Sequence, residues 1–533
     1  MATRRSPAAE ADDGSMRARP RRRRVLAIVA GLSAASVALG AGQLSAGLVG
    51  RASSPVVAVA NAAIPLTPRP VKDFAVSAFG ASDKVALVTG ALIVIALYAA
   101  GLGLLAMRDR WLGAAGVAVF GLVGAVAAVS QPAGRLVDAV PSVVSALMGM
   151  LALPLVVAPL RSARATGTPV DVAGEGIDRR RFLSAGGATL GLAAVFGGAG
   201  QFLGGRFDVA RERAALRLPR PASPAPVLPA GADLSGEFPG LTPLFTPAGD
   251  FYRIDTAIVV PQVSPETYRL QVRGMVDRPR TVTLQELYGR PDLIERDITL
   301  TCVSNEVGGG LAGTARWLGV PLAAFLRECG VRSGSTQLVC RSDDGMTIGT
   351  GTRAALTTPD AMLAIGMNGQ PLPTDHGFPV RMIIPGLYGY TSACKWLTSI
   401  EATTFEAYDA YWVQRGWAQQ GPILVESRID TPADSRSFPA GRRTIAGVAW
   451  AQGRGISTVE AQVDDQPWQP ARLSPATEPD IWRQWLLPYD FAPGTHRIAV
   501  RATAADGEQQ TPDRADPFPS GATGWHTVMV TAT

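Results

Sequence analysis

Five runs of apolar residues, nearly free of charge, fill most of the chain up to about Gly205. Each is long enough to cross a bilayer as a helix, which takes roughly 20 residues. They lie at about Val25–Val49, Val85–Met107, Trp111–Ser130, Val140–Leu160 and Phe182–Gly204. Buried helices of a soluble domain are the competing reading. Successive runs with almost no charge argue against it. Beyond Gly205, charges, Trp, Tyr and Pro return, so the mean hydropathy of +0.16 averages a membrane part and a soluble part.

Flanking charges set the expected orientation. RPRRRR precedes the first run, Arg108 and Arg110 separate the second from the third, and Arg161, Arg164 and Arg179–Arg181 lie between the fourth and fifth. The opposite loops carry only Arg51, Arg69, Lys72, Lys84 and Arg135. Positive charge stays on the cytoplasmic side. The expectation is a multi-pass cell-membrane protein with a cytoplasmic N-terminus and an extracytoplasmic C-terminal part. Arg179–Arg180–Arg181–Phe182–Leu183, ahead of a Gly/Ala-rich core, looks like a twin-arginine export signal. An ordinary basic flank is the alternative. The expected organisation is a basic tail (1–24), five transmembrane helices (25–205), a Pro-rich linker (206–236) and two soluble domains (237–425 and 426–533).

Several function classes lack support. The net charge of +6 comes largely from arginines beside apolar runs, and no basic face with interleaved aromatics suggests nucleic acid. The four cysteines, Cys302, Cys329, Cys340 and Cys394, form no CxxC pair. Zinc ribbons, thioredoxin chemistry and c-type haem attachment are therefore unsupported. The three histidines are not spaced as a metal pair. Gly308, Gly310 and Gly313 fit GxGxxG, but Ser304–Val307 separate them from the preceding strand. Trp317 and Pro321 then stand where the packing helix should begin, so a dinucleotide site is rejected.

In the soluble part, Thr256–Val260, Tyr268–Val272, DITLTCV and VRMIIPG read as strands, and TVTLQELYGR and VPLAAFLRECG as short helices. From about Arg442, short alternating segments such as STVEAQVDD and HRIAVRATA give the pattern of a β-sandwich.

TLTCVSNEVGGGLAGTARWLGVPL, with its C-x-x-N, Gly-rich turn and W-x-G-V-x-L, closely resembles the molybdenum-ligand segment of the sulfite oxidase family. The resemblance implies that Cys302 binds molybdenum beside the dithiolene of one molybdopterin, with Asn305 contributing to the cofactor site. A soft thiolate suits a metal that already carries sulfur ligands. MNGQPLPTDHGFPVRMIIPGLYGYTSACKWL matches the stretch that grips the pterin and its phosphate. His376, Arg381 and Lys395 carry over, with Ala393 and Cys394 acting from the backbone. Asp343 matches a cofactor-contacting Asp, with Asp344 as competitor. FYRIDTA matches a segment whose Arg reaches the active site, here Arg253, although Ile254 and Asp255 replace the family's Asn and His. The C-terminal stretch resembles the family's immunoglobulin-like dimerisation domain.

Two departures concern the substrate. Glu306 and Val307 stand where sulfite-oxidising members have an Arg pair, and Trp417 replaces an active-site Tyr. The fold expected is α+β: five transmembrane helices, a mixed molybdopterin domain (237–425) and an immunoglobulin-like β-sandwich (426–533). The implied activity is two-electron oxygen-atom transfer on a small or exposed substrate at a molybdenum cofactor. Arg253 and Trp417 would be catalytic, a separate external or membrane redox partner would take part, and a homodimer could form. The alternatives are an S-oxide or N-oxide reductase of the same fold and a non-catalytic membrane scaffold.

Overall fold

Small residues decide how the N-terminal helices pack. In the computed structural model, which describes residues 13–68, 71, 83–165, 175–475 and 477–533, the chain divides into two units. The first contains helices Asp13–Val49, Pro55–Leu66, Asp83–Arg108, Arg110–Val129, Val140–Ala165 and Glu175–Gly204. Five of these are long and apolar enough to cross a membrane. Pro55–Leu66, which the sequence pattern did not single out, is too short to do so. The first helix is the hub, burying Ala30, Ala34, Val37 and Ala41 against its neighbours. It crosses Asp83–Arg108 almost backbone to backbone. A Cβ on Gly31 would lie 2.1 Å from the Ala99 carbonyl oxygen, and one on Gly103 would lie 2.0 Å from that of Ala27. Small residues allow this close approach of two helix backbones. The helix Glu175–Gly204 begins ahead of Arg179–Arg181. The side chains of that triplet, residues 1–12 and residues 166–174 lie outside the described residues.

The second unit spans residues 209–256 and 260–533. One five-stranded sheet orders Arg280–Thr283, Arg269–Gly274, Leu397–Thr403, Gln337–Ser342 and Thr347–Gly351. Its one parallel pair aligns Gln271 with Ser399. A second sheet orders Ile294–Thr301, Ala312–Pro321, Met362–Met367 and Gln370–Pro371, with Arg381–Ile383 also paired to Met362–Met367. Leu270, Val320, Phe325, Leu338, Ile365 and Ile400 meet in the core these elements share. Trp317 lies inside a strand, fully buried, and its indole N–H donates to the Ile298 carbonyl at 3.1 Å. The helix expected after it runs Leu322–Cys329 and ends on left-handed Gly330. Thr256–Val260 forms no strand. Pro261 follows it, and a proline restricts the residue before it and offers no ladder donor.

The 206–236 segment is not a free spacer. After a short helix, Ala210–Ala215, it lies along the exposed edge of Ile294–Thr301, where Ser223 bridges Ile294 and Glu295 N–H donates to the Ser223 carbonyl at 2.8 Å. Covering a sheet edge in this way removes a site of unwanted pairing. Farther on, Ala232 and Leu234 are buried.

The last part of the unit is two sheets. One orders Glu426–Thr431, Gly441–Trp450, Arg483–Phe491 and Arg472–Leu473. The other orders Arg436–Phe438, His526–Ala532, Gly494–Ala504, Ile456–Val463 and Gln469–Pro470. Ile445, Val459, Trp485, Ile498, Val500 and Val528 fill the core they share. A smaller cluster of Leu244, Val448, Trp450 and Trp482 reaches Val303 and Ala312, on either side of the Gly-rich turn.

Candidate cofactor site

Strand ends from the first two of these sheets converge on one open pocket. Cys302 follows Ile294–Thr301, Ser342 closes Gln337–Ser342, and Arg381 opens Arg381–Ile383. Lys395 and Trp396 lead into Leu397–Thr403. Cys302, His376, Arg381, Ala393, Lys395 and Trp417 all line the pocket, so segments more than 100 residues apart meet as the motifs implied.

Cys302 is buried, 8% exposed as a residue. Burial raises its pKa, while hydrogen bonds from Ser304 and the charge of Lys395 pull the other way. Arg381 is buried, with one guanidinium N–H on the His376 carbonyl at 3.1 Å and its plane near Trp317. Desolvation pushes its pKa down to about 10. Its Nε has no partner. Lys395 Nζ lies 2.8 Å from Asp255 Oδ2, a carboxylate that also accepts from Arg253 Nε at 2.9 Å. Desolvation, opposed by Asp255, pushes the Lys395 pKa down to about 8. His376 Nε2 lies 2.9 Å from the Ala248 carbonyl, so that nitrogen carries the proton. Desolvation and Arg381 push its pKa down to about 4, and the ring is neutral. Gly377, at φ +105, lets this turn approach Lys395, whose Cα would lie 3.0 Å from an added Cβ.

Arg253, Asn305 and Asp343, with its competitor Asp344, lie outside the pocket lining, as does the Cys394 side chain. Arg253 does not line the pocket; it pairs with Asp255 and, at 3.7 Å, with Asp375. Asn305 is buried inside the Gly-rich turn, accepting from Leu311 N–H at 2.7 Å and donating to Glu426 at 3.3 Å. Asp343 is exposed on a hairpin turn, its N–H on the Trp396 carbonyl. Asp344 caps the same turn, accepting from Met346 N–H at 3.1 Å. The Cys394 side chain points into the sheet core, and its carbonyl accepts from Met382 N–H at 3.0 Å.

The motif reading missed Tyr252, Asp255, Ser304, Trp396 and Trp412, which also line the pocket. Burial, with Cys302 nearby, holds the Tyr252 phenol well above its ordinary range, so it stays a neutral donor. Asp255 had stood out only as a departure from the family pattern. Nothing local could have ranked Tyr252 above Arg253, because residues 251–258 form no regular element whose period would sort sides.

The residues fit molybdopterin. The pocket holds two buried cations, Arg381 and Lys395, and one buried carboxylate, Asp255, paired with Lys395; the Arg381 Nε–H is unsatisfied, which suits a bound phosphate. A thiol that opens on the same pocket suits molybdenum.

Comparisons with known proteins agree. Residues 257–412 match the family described as "Oxidoreductase molybdopterin binding domain". Mitochondrial sulfite oxidase of Homo sapiens is 31% identical over 307 residues, 49% of this chain and 56% of that protein. Inducible nitrate reductase [NADH] 2 of Glycine max is 28% identical over 306 residues, 46% of this chain and 34% of that protein. The crystal structure of the sulfane dehydrogenase SoxCD from Paracoccus pantotrophus gives a TM-score of 0.48 at 21% identity, covering 55% of this chain and 84% of that chain. The chain thus spans little more than half the length of the sulfite oxidases it matches. The matched region holds Cys302, His376, Arg381 and Lys395 together. Residues 257–412 thus form a molybdopterin-binding oxidoreductase domain similar to that of the sulfite oxidases, and its cofactor is molybdenum held by molybdopterin.

Proposed function

We propose that this chain is a membrane-anchored molybdenum oxidoreductase that transfers an oxygen atom to or from a small or exposed substrate, with two electrons. The observation that carries this reading is the convergence of the Cys302 thiol with Arg381 and Lys395 in one pocket. When bound, the molybdenum cofactor supplies the two-electron redox chemistry. Cys302 holds the metal, and Arg381 and Lys395 hold the phosphate by charge-assisted hydrogen bonds. His376, neutral, fixes the turn beside them. Asp255 keeps Lys395 in place through a buried ion pair. Asn305 acts by shaping the Cys302 turn, and Arg253 acts at the rim through Asp255.

A specific observation favours neutral S-oxides or N-oxides, or their reduced partners, over sulfite. Tyr390, Trp412 and Trp417 give the pocket an uncharged aromatic wall. Trp417 also meets Phe518 edge-on at 5.3 Å. With Glu306 and Val307 where an Arg pair would stand, the cations among the described pocket-lining residues are Arg381 and Lys395, which serve the phosphate.

Five long apolar helices and the arginine distribution support a cell-membrane anchor with the catalytic part outside. Arg179–Arg181 would act as a twin-arginine signal, exporting the soluble part already folded and loaded. Electrons would pass to or from an external or membrane redox partner. The paired C-terminal sheets are read as an immunoglobulin-like domain (426–533) that supports a homodimer, beside a molybdopterin domain (237–425). Changing all three arginines to Lys is expected to block export of the soluble part. Unchanged digestion by external protease would refute that reading.

The catalytic reading is tested with Cys302→Ser. Serine keeps the shape but offers a harder oxygen of much higher pKa. The parent should hold about one molybdenum per chain, which separates an enzyme from a scaffold. The variant should keep its pterin and fold while turnover falls by roughly two orders of magnitude or more. Turnover equal to the parent's would refute Cys302 as the ligand.

A further inference from the structure

The turn that carries Cys302 is held from outside its own sheet. Within the turn, Cys302 N–H donates to the Leu311 carbonyl at 2.9 Å, and Asn305 Oδ1 accepts from Leu311 N–H at 2.7 Å. Three further contacts come from the C-terminal sheets. Glu426 Oε2 accepts from Asn305 Nδ2 at 3.3 Å. Arg428 donates through one terminal nitrogen to the Gly309 carbonyl at 2.9 Å, and its other two nitrogens bond Asp430 at 2.6 Å and Thr242 at 2.8 Å. The His526 ring covers Gly308 so closely that an added Cβ would lie 2.2 Å from it. The same ring accepts Ile429 N–H on Nδ1 at 2.9 Å. Glu426 and Arg428 lie on the first strand of those sheets and His526 on the last. None of the three lines the pocket.

We propose that Glu426, Arg428 and His526 are positioning residues, through which the C-terminal β-structure clamps the Cys302 turn and sets where the thiol stands. This rests on Cys302 being the metal ligand. The physical need is clear in the sequence. Gly308, Gly309 and Gly310 give the turn more conformational freedom to lose than any other residue type would. Two hydrogen bonds and one ring contact from elsewhere remove that freedom. Arg428 is suited to this because its guanidinium is itself fixed by Asp430 and Thr242.

The test is amide hydrogen exchange and metal-to-pterin ratio on the full chain in detergent, for the parent, Arg428→Met, Arg428→Lys and His526→Ala. Arg428→Met should speed exchange across 303–311 by about tenfold, the scale of one charge-assisted hydrogen bond. Strands Arg269–Gly274 and Leu397–Thr403 should keep their rates, the metal-to-pterin ratio should fall, and Arg428→Lys should restore part of both. His526→Ala should act in the same direction and carries the test if Arg428→Met does not fold. The proposal is overturned if the turn exchanges at the parent's rate in these variants. It is also overturned if turn and strands accelerate alike, since that would mark a general loss of stability. A Cys302→Ser chain with normal metal would remove the ligand reading alone and leave the exchange result standing.

Discussion

Single residues in this pocket work through partners that the sequence places far away. Lys395 is useful to an anion because Asp255, 140 positions earlier, holds it without neutralising the site's second cation. Glu426 shows the same logic on the far side of the Cys302 turn. It is buried between Asn305 and the Tyr388 hydroxyl, and desolvation raises its pKa from an ordinary 4.5 to about 8. Its folded pKa lies above its unfolded one. The stability contributed by the protonated carboxyl is therefore fully present below about 4.5 and is lost as pH rises through about 8. Glu426→Gln keeps a neutral group of similar shape and removes that slope. We expect its melting temperature, relative to the parent, to rise between about pH 5 and pH 8 and to level off above that on this account. Equal pH dependence of the two proteins would show that Glu426 is ionised in the fold.

At the level of elements, the N-terminal helices depend on close approach where the strands depend on alternation. The crossing at Gly31 and Gly103 leaves no room for a side chain. Gly103→Val should separate the first helix from Asp83–Arg108 and lower thermal stability in detergent by roughly 1–3 kcal/mol, the usual cost of overpacking. Gly186→Ala, at a helix position where an added Cβ would meet nothing within 4 Å beyond its own helix backbone, should be neutral or slightly stabilising. If the two variants melt together, the crossing contributes nothing. In the C-terminal sheets, alternation is plain along Gly494–Ala504, where buried Ile498, Val500 and Ala502 face the shared core. That period was readable, and it placed these strands correctly to within a few residues.

For the second unit as a whole, the C-terminal sheets are part of the cofactor region's architecture. Strand Glu426–Thr431 pairs with Gly441–Trp450, and Trp450 and Trp482 pack toward Val303. A chain truncated at Arg442 loses that pairing, His526 and both tryptophans. We expect it to lose cofactor retention, measured as pterin per chain, as well as any self-association. A truncated chain that kept full pterin content would show the sheets to be independent of the site.

The sequence by itself determined the features that depend on local pattern and on specific chemical motifs. Five apolar runs became five long helices, because bilayer-length apolarity and helical periodicity need no distant partner to be recognised. Cys302, His376, Arg381 and Lys395 were legible because their neighbours form motifs, and the fold brings all four to one pocket. Only the tertiary structure decided which way side chains face in irregular segments. It turned Tyr252 inward and Arg253 to the rim, sent Cys394 into the core, and laid the 206–236 segment along a sheet edge. It also brought Glu426, Arg428 and His526 to the Cys302 turn across more than 100 residues. Irregular segments lack a period, and contacts between distant residues depend on the whole set of packed elements, so neither leaves a signal that can be read along the chain.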